Sequence, residues 1–193
     1  MPPPGPGEVT RILVLCTANI CRSPMAEALL ARHLTKAGIA ASVRSAGLLG
    51  EGAAPPPEVI SAMAGYGINV GSHCSRLVTA AELHRADLVI AMARVQLRHA
   101  VVKAPGAWPR AFTLKELVRR GEEIGARAPR EGLSQWLARA HGTRKRRELL
   151  GDSQADDVAD PIGGPLHGYI DIAATLDGLL GRLVELCWGM RRV

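Results

Sequence analysis

Cys16 and Arg22 are separated by five residues, Thr17, Ala18, Asn19, Ile20 and Cys21, and Ser23 follows directly. A mostly apolar run, Val9 to Leu15, leads into this stretch, and Pro24-Met25-Ala26-Glu27-Ala28-Leu29-Leu30 leads out of it. A tight loop between a strand end and a helix N-terminus turns several backbone N–H groups inward. Such a nest binds an anion, and the helix dipole adds to the attraction. The same field favours a cysteine thiolate, the nucleophilic form. A guanidinium fork binds two oxygens of a phosphoryl group at once. It keeps that hold while the group transfers, and binding that persists into the transition state is what raises rate. The predicted chemistry is attack of the Cys16 sulfur on a phosphate ester held by Arg22. Ser23 has two readings, a plain helix N-cap or a donor that eases departure of the sulfur, and both can hold.

These residues need a frame. Val9 to Leu15 reads as a buried strand. A helix follows with Ser23 as N-cap and Pro24 at its first position, running to about Lys36 before Gly38 stops it. Ser42 to Ser45 reads as a second strand, and Pro55-Pro56-Pro57 opens a helix through about Tyr66. Asp87 to Met92 is a third strand. A fourth lies near Phe112-Thr113-Leu114, with a short helix through Arg120. Strands alternating with helices predict an α/β fold, a single doubly wound domain whose central parallel sheet has about four strands. The domain is placed at residues 9–188, with a disordered tail at 1–8 and a short tail at 189–193. Residues 121–152, rich in Arg, Gly and Glu, read as an insertion, part helix (Leu133 to Ala140) and part mobile loop. Its run Arg144-Lys145-Arg146-Arg147 reads as a solvated face, or else as a docking patch for an acidic partner. Tyr169, Ile172, Ala173, Leu176, Leu180, Leu183, Val184 and Cys187 follow helical spacing and form one apolar stripe.

Composition narrows the partners. With 193 residues, 47% hydrophobic and 22% charged, the chain is long and apolar enough for one buried core. A net charge of +6 favours acidic substrates. Tyr66, Phe112 and Tyr169 are scattered, so there is no aromatic–basic platform and nucleic acid is not an expected partner. No apolar run approaches a membrane span, and Met1 to Gly7 lacks a signal-type apolar segment. No membrane partner is expected, and a cytoplasmic location with reduced thiols is. Cys16 and Cys21 have no second metal-type pair, and Cys74 beside His73 has no further ligands. Neither a metal nor another cofactor is expected. Oligomeric state is not legible.

The stretch Cys16 to Glu27 resembles the signature of the low-molecular-weight protein tyrosine phosphatases. Arg44-Ser45-Ala46-Gly47, Gly67-Ile68-Asn69 with His73, Asp87 to Met92 and Asp160-Pro161 resemble later motifs of that family, in order. The resemblance implies a metal-free hydrolase acting on phosphorylated proteins through a cysteinyl-phosphate. It implies that Thr17, Ala18, Asn19, Ile20, Cys21 and Ser23 bind the phosphoryl group, and that Asp160 is the general acid and later the base. Asp156 and Asp157 are nearby competitors for that role. It also implies that Asn19, Ser45 and His73 form a network that shapes the loop. Cys21 is then either the partner of a reversible disulfide with Cys16 or a small packed residue.

Several positions depart from the family pattern. Ala18 stands where Gly is usual, so a permissible φ is expected there. Ile162 follows Asp160-Pro161 where tyrosine-directed members carry an aromatic residue, and the segment after Gly47 lacks the usual Trp. Gly163-Gly164 and Phe112 to Glu116 are closer to a bacterial branch with protein-arginine phosphatases, but those carry Thr at the position of Ile20. Ile20 favours a flat aryl phosphate, so phosphotyrosine is preferred. A thiol-coupled arsenate reductase is an alternative, with only Cys74 and Cys187 left for a relay. A phosphate-binding module without turnover is the alternative of another class, and it would need neither Cys16 as a thiol nor Asp160.

Overall fold

The structure, a computed structural model, describes residues 9–189. The expected tail at 1–8 and all but Gly189 of the expected tail at 189–193 lie outside the described residues. Strand β1 (Thr10–Leu15) is apolar at Ile12, Leu13, Val14 and Leu15, all buried, as a strand covered on both faces must be. It pairs in parallel with β2 (Ala41–Ala46) on one side and β3 (Leu88–Ala91) on the other, and β3 pairs in parallel with β4 (Ala111–Thr113). The order is β2-β1-β3-β4.

Alternation along the strands divides the core. Ile12, Val14, Leu88, Ile90 and Phe112 pack on the face covered by α1 (Arg22–Lys36), α2 (Pro57–Ala64), α5 (Leu114–Ile124), α6 (Leu133–His141) and α7 (Leu166–Trp188). Leu13, Leu15, Val89, Ala91 and Ala111 pack on the other, beneath α3 (Ala80–Arg85), α4 (Arg94–Lys103) and a 3-10 turn at Pro105–Arg110. Of the expected stripe, Tyr169, Ala173, Leu176, Leu180, Leu183, Val184 and Cys187 are buried, and Ile172 at its edge is partly buried. The expected α/β sheet and its helix-flanked architecture are present.

Three readings are corrected. Ser23 is not an N-cap: α1 begins at Arg22 with Cys21 as its cap residue, so Ser23 lies in the first turn and Pro24 one residue further on. Proline costs nothing there, because first-turn N–H groups have no intrahelical partner anyway. α3 and α4 were not expected. Nor is Arg144-Lys145-Arg146-Arg147 a uniformly solvated face. The Arg144 side chain is 1% exposed and pairs with Glu116, its guanidinium 3.6 Å from the Trp108 ring centre and 4.1 Å from that of Phe112. Residues 121–152 join the common core as well, where Trp136 is fully buried against Gly121 and donates to the Gly125 carbonyl.

Candidate active site

The carboxyl ends of parallel strands are where a doubly wound sheet binds ligands, and Cys16 follows the last residue of β1. Its amide donates to the Ala46 carbonyl, anchoring the loop start to β2. The amide of Asn19 donates to Cys16 Sγ at 3.2 Å, and Ser23 Oγ lies 3.0 Å from the same sulfur. Among the described residues, the amides of Thr17, Ala18, Ile20 and Cys21 make no hydrogen bond to the protein, which leaves them for an anion.

Asn19 holds the loop's shape. It is the one described non-glycine residue with positive φ, at 56°, a conformation Asn tolerates better than most. Ala18 therefore has the permissible φ expected of it. Asn19 is fully buried, and every polar group of its side chain is engaged. The Arg76 amide donates to Oδ1, which turns Nδ2 toward two hydroxyls, Ser23 at 2.9 Å and Ser45 at 2.8 Å. Ser45 donates to the Glu27 carboxylate at 2.5 Å. Both serine oxygens thus accept from Asn19, and the hydroxyl hydrogen of Ser23 is left for the Cys16 sulfur. His73 Nε2 donates to the Asn19 carbonyl at 2.7 Å. Asn19, Ser45 and His73 are brought together as the resemblance implied, and Glu27 ends the chain.

Gly47 makes this approach feasible. A β-carbon there would lie 2.8 Å from the Thr17 carbonyl oxygen and 3.0 Å from Asn19 Cβ. The Thr17 carbonyl is in turn held by the amides of Leu48 at 2.7 Å and Leu49 at 3.0 Å.

Arg22 is 5% exposed at the start of α1. It donates to the Val158 carbonyl at 3.0 Å and pairs with the Asp160 carboxylate. Asp160 is the more open partner, its side chain 45% exposed. Asp156 and Asp157 are engaged elsewhere. The Asp156 carboxylate is clamped by Arg94 at 2.6 Å and Arg119 at 2.7 Å. Burial alone would raise its pKa, but the bonds from Arg119 and Arg94 outweigh that and hold it below the usual carboxylate value. Asp157 accepts from the amides of Arg94 and Ser153. The pair builds the loop that delivers Asp160, and Val158 is fixed to β3 through the Met92 carbonyl.

Cys16 and Cys21 are both free and buried. Burial, with Asp160 and Cys16 adding to it, pushes the Cys21 thiol up to about 12, so Cys21 is neutral at physiological pH. Ile20 is partly buried against the main core, and Ile162 is exposed. Three contributors were missed in the sequence. Gly47 and Glu27 lie inside the quoted motifs without a role being read for them. Gln96 donates to Thr17 Oγ1 at 2.9 Å from a helix that was not expected at all.

A cysteine at a strand end, a clamped loop with free amides, an arginine at the helix start and a half-exposed carboxylate paired with it define a cysteine-dependent phosphoric monoester hydrolase. The family model for low molecular weight phosphotyrosine protein phosphatase matches residues 11–138. A protein-arginine-phosphatase of Bacillus subtilis is 30% identical over 90% of this chain and 94% of its own length. A probable low molecular weight protein-tyrosine-phosphatase, EpsP, of Ralstonia solanacearum is 37% identical over 56% of this chain and 73% of its own. The crystal structure of a low molecular weight protein tyrosine phosphatase from T. tengcongensis superposes with a TM-score of 0.69 at 31% identity, covering 91% of this chain and 98% of that one. The chain belongs to the low-molecular-weight protein tyrosine phosphatase family.

Proposed function

We propose that the protein hydrolyses phosphotyrosine in phosphorylated proteins through a cysteinyl-phosphate on Cys16. The observation that carries this reading is the polarity of the loop network. The Arg76 amide fixes the Asn19 side chain, Asn19 donates to both serines, the Asn19 amide donates to the Cys16 sulfur, and the Ser23 hydroxyl hydrogen is available to the same sulfur at 3.0 Å. A sulfur that only accepts is arranged as an anion and as a leaving group.

The steps follow. The substrate's phosphoryl group takes over Arg22 from Asp160, and its oxygens meet the guanidinium and the free loop amides. The Cys16 sulfur attacks phosphorus in line, and the S–P bond forms as the P–O bond to the leaving group breaks. Asp160, released from Arg22, takes up a proton from water or from the incoming phosphate monoester and gives it to the departing oxygen. Water then attacks phosphorus while Asp160 accepts its proton, and the sulfur leaves as thiolate toward the Ser23 hydroxyl. In this reading Thr17, Ala18, Asn19, Ile20, Cys21 and Ser23 form the phosphoryl cradle, and Ser45 and His73 support it.

Turnover of p-nitrophenyl phosphate without added metal tests the proposal. Cys16→Ser and Arg22→Ala are each expected to nearly abolish it. Retained turnover in Cys16→Ser contradicts the nucleophile assignment, and binding without turnover by the native chain would mark a phosphate-binding module instead. Asp160→Ala should slow a substrate with a poor leaving group far more than one with a good leaving group. Equal loss on both contradicts the acid assignment.

A second reading, protein-arginine phosphatase, is favoured by one observation. The relative matched over 90% of this chain, the share that takes in residues 121–152, carries that name. Ile20, lacking a hydroxyl, supports phosphotyrosine. The ratio of kcat/KM on phosphotyrosine and phosphoarginine peptides decides, and a value favouring phosphoarginine reverses the assignment. An arsenate-reducing relay finds little support, because Cys187 is fully buried in α7 and its thiol is pushed far above its ordinary value by that burial. Among the described residues, no helix is long and apolar enough to cross a membrane. A cytoplasmic location and phosphoprotein partners, without nucleic acid or membrane, complete the proposal.

A further inference from the structure

Gln96 lies in the first turn of α4 and is 1% exposed. A glutamine three residues after a helix cap ordinarily turns back and accepts from the cap residue's amide. Here α4 has no side-chain cap, and the Gln96 amide reaches away from its own helix to Thr17, donating from Nε2 to Oγ1 at 2.9 Å. Its Oε1 is sealed from solvent and has no hydrogen-bond partner among the described residues. Turning the amide over would put the carbonyl on the threonine hydroxyl and orphan the NH2 group instead. Either way, one buried polar end goes unpaired, which costs stability. Leu97 and Ala100 fill the same helix face without such a cost. A costly polar group kept inside a core points to work done on the group it touches.

That group is Thr17, the residue after Cys16, whose amide is one of those left free for an anion. The Thr17 carbonyl is fixed from the β2 side by Leu48 and Leu49, and its hydroxyl is fixed from the α4 side by Gln96. With its carbonyl and its hydroxyl both held, Thr17 is fixed in orientation, and the Thr17–Ala18 peptide, which carries the free Ala18 amide, is fixed with it. With Gln96 donating, the threonine's own hydroxyl hydrogen is turned away from α4. We propose that Gln96 is a positioning residue for the phosphoryl cradle, acting through the Thr17 hydroxyl. This rests on the phosphatase reading above.

The test is a double-mutant cycle on p-nitrophenyl phosphate, with Gln96→Leu, Thr17→Val and the pair, read as kcat/KM and as the inhibition constant of inorganic phosphate. A misplacement of about 1 Å at a reacting centre can cost on the order of 10²-fold, and loss of one positioning bond moves the loop by less. Gln96→Leu is therefore expected to lower kcat/KM about tenfold and to weaken phosphate inhibition by a similar factor. In the Thr17→Val background the same change is expected to cost at most about twofold. The Tm of Gln96→Leu should equal or exceed that of the native chain, because an orphaned carbonyl has been removed. A tenfold loss that persists in the Thr17→Val background, or no loss in either background, overturns the proposal. Should Gln96→Leu not fold, Gln96→Met is close in shape, lacks both amide groups and reads the same cycle. Native turnover measured in the same series separates the two claims. An inert native chain defeats the phosphatase reading, and an active native chain with an uncoupled Gln96 defeats this inference alone.

Discussion

At the scale of single residues, the site depends on direction as much as on proximity. The Arg76 amide decides which way Asn19 faces, and everything from Glu27 to Cys16 follows from that one bond. Gly47 is the tightest constraint. Its α-carbon lies where any side chain would strike the Thr17 carbonyl and Asn19. Gly47→Ala is expected to cost about 1–3 kcal/mol by overpacking and to lower kcat/KM by on the order of tenfold or more, by pushing the loop out of shape. Urea unfolding and p-nitrophenyl phosphate kinetics check both, and an active, stable Gly47→Ala contradicts the close approach. The juxtaposition of Cys16, Arg22 and Ser23 was legible because they share one loop, whose spacing fixes their geometry. Ser23 was misread as a cap because the pattern Ser-Pro is the same whether a helix starts before or after it. Only the bond to the Cys16 sulfur tells the two apart. Gln96 was illegible because its partner is 79 residues away and its helix carries a weak apolar pattern.

At the scale of elements, β1 and α7 were legible for opposite reasons, one a continuous apolar run and the other a long stripe of helical period. α3 has only six residues, and a capping box on Thr79 and Glu82 defines its start more than periodicity does. The charge run at 144–147 shows what composition cannot separate. Arg144 is the pin that holds residues 121–152 against β4 and α5. It forks onto Glu116 through Nε at 2.8 Å and Nη2 at 3.0 Å, and also donates to the carbonyls of Trp108 and Ala111. Removing Arg144 leaves Glu116 with Arg120 alone, at 3.0 Å, and takes the donor from the Trp108 and Ala111 carbonyls, so Arg144→Met is expected to cost about 3 kcal/mol in urea unfolding. Glu116→Gln added to it should recover part of that loss. A loss under about 0.5 kcal/mol would place Arg144 with ordinary surface charges.

At the scale of the whole molecule, acid should unfold the protein in two stages. Burial, and then Arg144, hold the His141 imidazole below its ordinary 6.5, so the folded chain binds that proton more weakly than the unfolded one. Stability from this group is lost as pH falls through the usual histidine range. Asp156 is held below its ordinary 3.8, so its contribution is present above that value and is lost only as pH falls further, through its folded-state pKa. His141→Gln should flatten the upper stage and leave the lower one, as read by urea midpoints across pH. An unchanged upper stage assigns it to another group. The sheet order and the clamped loop converge on the Cys16 sulfur, and the carboxylate from the segment before α7 reaches the Arg22 guanidinium beyond it. The most direct test is an acid quench of Asp160→Ala during turnover of p-nitrophenyl phosphate, followed by peptide mass spectrometry. A phosphoryl group on the Cys16 peptide is the predicted result. Turnover with that peptide unmodified, or with the phosphoryl group on another residue, contradicts the account.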